Sequence, residues 1–190
     1  MVYESLIAIV ESHLSDLTKT WADEVRKTTY LETYKKLSEA ELTRRGNTLF
    51  SNIQNWLLKG ATVDDAETYF YKLGTERFKE GFSVTEVYYA LHLEKKVLWS
   101  FVAWKDEISG ILEANDAIEF MAIINNYFDL GDFNIIRGYM NELYSQLKDS
   151  KKFDKKELES IIAGGALYQE SNKEIGEKLF SEGLSIDLIK

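Results

Sequence analysis

The chain has 190 residues, of which 45% are hydrophobic and 13% aromatic, so it can build one sizeable core and lies outside the disordered class. Its formal net charge of -9 argues against nonspecific binding to nucleic acid, and the absence of cysteine excludes disulfides, thiol nucleophiles and thiolate metal sites. The sequence has neither a signal-peptide pattern nor an apolar run of about 18 residues, so we expect a cytoplasmic protein without a membrane partner.

Proline is absent too, so glycine and capping residues are the signals that end helices here. In the N-terminal segment apolar residues recur at spacings of three and four, which predicts a helix from about residue 3 to residue 27. The segment YLETYKKL that follows is ambiguous, and we interpret it as a turn with at most one helical coil.

Capping boxes mark the next two helices. Ser38 with Glu41 starts the second helix, which runs until Gly60 closes it. Thr62 with Asp65 starts the third.

The third and fourth helices meet at a corner that local chemistry specifies. Helical phasing places Arg77 on the apolar seam of the third helix, and Gly81 ends that helix. Ser83 with Glu86 forms the capping box of the fourth helix, while Phe82 is placed to staple the junction. A guanidinium keeps its proton in a protein, so an arginine on a buried seam must find acceptors.

Two long helices follow the corner. The fourth is predicted from Val84 to about Asp106, and the fifth from about Asp116 to Leu147. Between residues 117 and 130 the fifth is apolar nearly all round, which predicts a central or doubly covered helix. Interior glycines at 131 and 138 indicate either a bend or the close approach of another backbone.

The domain boundaries follow from a shift in composition. Residues 148–156, KDSKKFDKK, are the candidate linker between a helical domain of residues 1–147 and a helical C-terminal appendage of residues 157–190. In that appendage Asp154 with Glu157 is expected to cap a short helix. We therefore predict an all-α bundle of five to six main helices with a helical appendage.

For Arg77 two interpretations stay open. It forms either a buried charge pair whose making and breaking is a switch, or else a constitutive pair or a snorkelling side chain. Asn125, Asp129 and Asp132 form a polar line on the otherwise apolar fifth helix. We predict that Asp129 or Asp132 accepts hydrogen bonds from Arg77.

Signals for catalysis or a cofactor are missing from the sequence. The two histidines, His13 and His92, do not have the spacing of a metal cage, and no phosphate loop, nucleophile elbow or HExxH motif is present. We expect no catalytic residues, no metal and no cofactor. The dense aromatic residues either line a small-molecule pocket or, at their helical spacing, fill the core.

A second stripe on the fourth helix lies beside its core face. Tyr89, His92 and Trp99 form it, and together with the apolar fifth helix it predicts the interface of a homodimer.

Three runs of this chain resemble the N-terminal helical domain of RsbRD-type RsbT co-antagonist proteins. They read ESHLSDLTKTWADEV, YKKLSEAELTRRGNTLFSNIQNWL and TERFKEGFSVTEVYYALHLEKKVL. The likeness covers about residues 8–145. It is carried best by Arg77, Gly81-Phe82, Ser83 and Glu86 at the corner, and by Phe128-Asp129 followed by Tyr139.

The resemblance implies a non-catalytic bacterial signal-input domain, active in stress response through an unknown signalling protein partner. It also implies a globin-like fold without haem, and residues 14 to 91 contain no histidine that could serve as the usual proximal ligand. Only the tail of about forty residues follows where an output domain is expected, so either the domain acts in trans or the chain is a fragment. The alternative function is a small-molecule-binding helical sensor with an aromatic-lined pocket.

Overall fold

The computed structural model describes residues 2–104, 114–150 and 152–157. Most of these residues lie in helices and none lies in a strand, which confirms the predicted all-α bundle. Six helices of four or more residues are described: α1 Val2–Lys27, α2 Glu32–Lys35, α3 Glu39–Leu58, α4 Val63–Lys79, α5 Val84–Trp104 and α6 Ala114–Asp149.

The predicted caps start and end these helices. Ser38 Oγ accepts a hydrogen bond from the Glu41 backbone N–H at 3.2 Å, and Thr62 Oγ1 does the same for Asp65 at 3.2 Å. Gly60 lies in the left-handed region at φ +85°, where the bond from Ala61 N–H to the Trp56 carbonyl closes α3. The ambiguous segment after α1 is a turn that contains α2, a single helical coil.

Helix α6 packs along α4, and the two backbones are in direct contact. A Cβ atom added at Gly74 of α4 would overlap the Ile135 carbonyl oxygen, and one added at Gly138 of α6 would overlap the Tyr71 carbonyl oxygen. The Thr75 hydroxyl donates to the Gly138 carbonyl across this contact at 3.3 Å. Of the two interpretations for the glycine at 138, close backbone approach is therefore correct.

The other helices complete the core around this pair. Helix α1 packs on α3 and α5, and α6 also packs on α5. Trp21 of α1 is fully buried, and its indole N–H donates to the Ala90 carbonyl of α5 at 3.1 Å. The largest side chains with no exposed surface are Trp21, Phe50, Phe70 and Tyr127. The aromatic residues thus fill the interior of the bundle.

The predicted double covering of the fifth helix, now α6, is wrong for its N-terminal half. Ile118 is 66% exposed and Met121 is 49% exposed, so this side of α6 has no covering helix among the described residues. Part of the apolar pattern therefore belongs to an exposed surface of α6, which includes Ile118 and Met121.

The chain turns back onto α6 after its last residue. Phe153 is buried against Leu147, beside Leu143 and Tyr144. Asp154 and Glu157 form the predicted capping box: the Glu157 N–H donates to Asp154 Oδ1 at 2.8 Å, and the Asp154 N–H donates to Glu157 Oε2 at 2.9 Å. The rest of the predicted appendage and the end of the fourth helix beyond Trp104 lie outside the described residues.

Replacing Gly138 by alanine is expected to lower the free energy of unfolding by about 2 kcal/mol, because the added methyl group would push the α4 backbone away from α6. Gly131→Ala is the matched control. Its methyl group would meet the ends of the Phe70 and Leu91 side chains, which can shift by less than a backbone must, and alanine is about 1 kcal/mol better than glycine in a helix. Urea unfolding followed by far-UV circular dichroism measures both variants, and equal losses would contradict the prediction.

Candidate functional site

The corner between α4 and α5 is built as the sequence predicts. Gly81 lies at φ +81°, and the Phe82 N–H donates to the Arg77 carbonyl at 3.0 Å, which closes α4. Ser83 Oγ accepts from the Glu86 N–H at 3.2 Å, while Glu86 Oε2 accepts from the Ser83 N–H at 3.4 Å. Both halves of the capping box are therefore present.

The same corner also forms hydrogen bonds to α2 and α6. Glu86 is buried, and its Oε1 accepts a hydrogen bond from the Thr33 N–H of α2 at 2.6 Å. The Phe82 ring is buried beneath the corner, and its carbonyl accepts from the Tyr139 hydroxyl of α6 at 2.8 Å. The corner residues thus join α2, α4, α5 and α6.

Arg77 is buried, as predicted, but its hydrogen-bond partner is not the predicted one. Arg77 Nη1 donates to Glu80 Oε2 at 2.9 Å, and Arg45 Nη1 of α3 donates to the same oxygen at 2.9 Å. Arg45 is buried too, and its Nε donates to Glu41 Oε1 at 2.8 Å. Both guanidinium groups lie over the Phe82 ring, 5.1 Å and 5.9 Å from its centre. We call Arg45, Arg77 and Glu80 the arginine centre.

The predicted pairing of Arg77 with Asp129 or Asp132 is therefore wrong. The two aspartates lie on the side of α6 next to α5, where Asp129 is 3.6 Å from Lys95 Nζ. Helix α4 packs on a different side of α6, the side of Gly138. Asp132 is half-buried, and burial raises its pKa to about 6, although Lys95 acts in the opposite direction.

The arginine centre forms part of an open groove between α3 and α4, with a volume of about 590 Å³. Burial raises the pKa of Glu80, but the hydrogen bonds and charges of Arg45 and Arg77 outweigh burial and hold it below its ordinary value. At the rim, the hydrogen bond from Arg44 lowers the pKa of Glu41 to about 2. These carboxylates are ionised at neutral pH, so the groove contains charged pairs.

A second polar cluster lies deeper in the core. Glu94 of α5 is 0% exposed, and neither of its carboxyl oxygens has a hydrogen-bond partner among the described residues. The Tyr69 hydroxyl is also buried without a partner in this part of the chain. The Tyr127 hydroxyl accepts from Asn52 Nδ2 at 2.9 Å. Helices α3, α4, α5 and α6 each contribute one polar side chain to this cluster.

Burial controls the ionisation of the cluster. It raises the pKa of Glu94 well above the ordinary value, because a carboxylate with no partner loses its hydration. It also raises the pKa of Tyr69 and Tyr127, and the nearby Glu94 adds to the rise in both. The cluster therefore favours a protonated carboxyl group over a carboxylate.

The sequence contained signals for two buried residues that the sequence analysis did not single out, Arg45 and Glu94. Arg45 lies between Leu42 and Leu49 at spacings of three and four, which is the pattern that identified Arg77. Glu94 lies in the same way between Leu91 and Leu98. Both side chains therefore lie on apolar seams, and both are buried.

The predicted interface residues lie on the outer part of α5. Tyr89 is half-buried between Tyr30 and His92, with ring centres at 5.0 Å and 5.6 Å, and His92 is exposed. Trp99 is half-buried two turns further on and packs against Phe120 at 5.9 Å.

Beside these residues a group of large apolar side chains is open to solvent. Tyr30 is 67% exposed, Phe133 64%, Tyr88 43% and Ile136 41%. A shallow surface groove of about 500 Å³ runs between Tyr30 and the α5 and α6 residues Tyr88 and Ile136. We call this surface the α5–α6 face.

Neither a metal site nor a membrane span is found in the described ranges. No three His, Asp or Glu side chains there are grouped so that they could hold a metal ion. None of the helices in those ranges combines the length and apolarity needed to cross a bilayer.

Comparisons of the chain with models of protein families, with curated proteins and with solved structures gave no match.

Replacing Glu94 by glutamine is expected to make the free energy of unfolding less dependent on pH. The folded state holds the Glu94 proton more tightly than the unfolded state, so ionisation of this residue costs no stability below pH 4.5. As pH rises from there towards the folded pKa, it removes up to about 1.4 kcal/mol of stability per pH unit. The stability of Glu94→Gln relative to the wild type should therefore increase with pH in this range.

Urea titrations at a series of pH values measure this difference, in which the contributions of other titrating groups cancel. Glu119→Gln, which removes an exposed carboxyl group of α6, is the control for the loss of one negative charge. A difference between Glu94→Gln and wild type that is constant from pH 4.5 upward would show that Glu94 is hydrated or paired in the folded state.

Proposed function

We propose that this chain is a non-catalytic signal-input domain of a bacterial cytoplasmic regulatory protein, and that it acts by binding other protein surfaces. The observation that carries the proposal is the α5–α6 face, where Tyr30, Tyr88 and Ile136 expose large apolar side chains around one groove and Phe133 is exposed one turn before Ile136 on α6. Contiguous apolar surface of this kind is typical of protein interaction sites.

The chemistry of the face supports a second copy of the chain as one partner. Helices α5 and α6 run antiparallel, because Tyr88 lies near Ile136 at one end and Trp99 packs on Phe120 at the other. Lys95 and Asp129 lie between these ends, so the face carries both signs of charge along its middle. A surface with both charges and two apolar ends can pair with itself about a two-fold axis.

The resemblance to RsbRD-type input domains supports a regulatory role for such contacts. The residues that carry it include Arg77 and the corner residues Gly81, Phe82, Ser83 and Glu86. In this chain those residues position α5 relative to α2, α4 and α6. We therefore propose a homodimer that contacts a further signalling protein and takes part in a stress response.

The alternative, a sensor with an aromatic-lined pocket, has less support from the interior. Tyr127 packs against Trp56, Phe70 and Phe128, with ring centres 4.9 to 5.4 Å apart. A small cavity beside Tyr34 and Arg77 has a volume of about 10 Å³, which is room for about one water molecule. A ligand among these rings would have to separate them.

Light scattering coupled to size-exclusion chromatography tests the dimer. The wild type is expected to elute with twice the mass of the chain. The double variant Tyr88→Glu/Ile136→Glu should be monomeric, because two carboxylates on each copy would face an apolar surface. Leu58→Glu is the matched control: Leu58 is exposed at the end of α3 and does not line the groove of the α5–α6 face, so its variant should remain dimeric.

Circular dichroism of each variant checks that the helices are retained. A monomeric wild type at high protein concentration would remove the proposed homodimer. A dimer that survives the double substitution would show that the copies associate through another surface.

A further inference from the structure

The groove between α3 and α4 concentrates positive charge in a chain whose formal net charge is -9. Glu76 and Glu80 line it together with five cationic side chains, while Glu41 pairs with two arginines at its rim and Glu142 pairs with Lys79. Four carboxylates thus offset five cations. An excess of positive charge therefore remains in a space of about 590 Å³, which is within the usual range for ligand pockets. The five cations are Arg44, Arg45, Lys72, Arg77 and Lys79.

Two buried arginines face this space in fixed positions. Arg45 and Arg77 come from different helices, and both donate to the single oxygen Glu80 Oε2 at 2.9 Å. The Phe82 ring lies against both guanidinium groups. Since a guanidinium stays charged and presents five N–H donors, the pair forms a preorganised site for an anion.

Glu80 is the most exposed member of the arginine centre. Its side chain is 39% exposed, whereas the side chains of Arg45 and Arg77 are 6% and 11% exposed. It is the residue that follows the last turn of α4, where the helix dipole disfavours a negative charge. The carboxylate can therefore move into solvent while the arginines stay in place.

We propose that the groove binds a small anion of the phosphate class, whose oxygens replace the Glu80 carboxylate between Arg45 and Arg77. A tetrahedral dianion presents oxygens in several directions, so it can accept hydrogen bonds from both guanidinium groups at once, although they come from different helices. A carboxylate has only two oxygens. Lys72 and Lys79, both exposed at the rim, add attraction at longer range.

Isothermal titration with sodium phosphate and sodium pyrophosphate tests the site, with sodium chloride at matched ionic strength as the blank. The wild type is expected to bind one equivalent. Glu80→Gln should bind about tenfold more tightly, because the competing carboxylate is gone. Lys72→Gln and Lys79→Gln should each weaken binding by about two- to fivefold, because each loses one exposed charge at the rim.

Lys59→Gln is the matched control, since Lys59 is exposed at the end of α3 and does not line this groove. Its affinity should equal that of the wild type. Lys72 and Lys79 are exposed, so we expect their variants to fold. These two variants therefore test the site even if Glu80→Gln does not fold. A titration with succinate separates the ligand classes, and phosphate is expected to bind more tightly than succinate.

The absence of saturable phosphate or pyrophosphate binding would overturn the proposal. So would a Lys59→Gln variant that loses as much affinity as the two rim variants, because binding would then follow total charge. A folded Glu80→Gln variant that binds more weakly than the wild type would show that Glu80 holds the arginines in place rather than competing with an anion. Succinate binding as tight as that of phosphate would exclude the phosphate class.

Discussion

The arrangement of the bundle depends on the short corner between α4 and α5. Gly81 ends one helix, and Ser83 with Glu86 starts the next within a few residues. Glu86 also binds the α2 backbone, and the Phe82 carbonyl binds α6 through Tyr139. The corner is therefore both a local turn and a junction of four helices. Because the Phe82 ring also lies beneath two arginines, the same few residues determine where the buried positive charge lies.

The chain buries charges in two different ways. Arg45 and Arg77 stay ionised, and each is offset by a carboxylate within hydrogen-bond distance. Glu94 has no such partner among the described residues, so its burial is offset by proton uptake rather than by pairing. This difference follows from the chemistry of the groups, since a carboxylate can become neutral near physiological pH and a guanidinium cannot. Glu94 therefore lies in the core as a neutral carboxyl group, whereas the charged arginines lie at the edge of the core.

The sequence predicted those features that depend on residues close together in the chain. The caps at Ser38, Thr62 and Ser83 and the left-handed Gly81 follow from contacts within one turn, and all are present. The glycine at 138 indicated either a bend or a close approach of another backbone, without showing which helix would approach. The partner of Arg77 could not be predicted in the same way. Periodicity shows which face of a helix is buried, but not which side of a neighbouring helix that face meets. Glu80 lies only three residues after Arg77, yet the prediction chose the more distant Asp129 and Asp132.

A link between the α3–α4 groove and the α5–α6 face would have to pass through α4 and α6. These two helices are in backbone contact at Gly74 and Gly138, where no flexible side chain separates them, so a shift of one would displace the other. Ile136 of the exposed face lies next to Ile135, whose carbonyl is part of that contact. An anion that replaced Glu80 would alter the end of α4, and the change could reach α6 at this point. It would regulate the face only if it bound more tightly to one arrangement of the two helices than to the other.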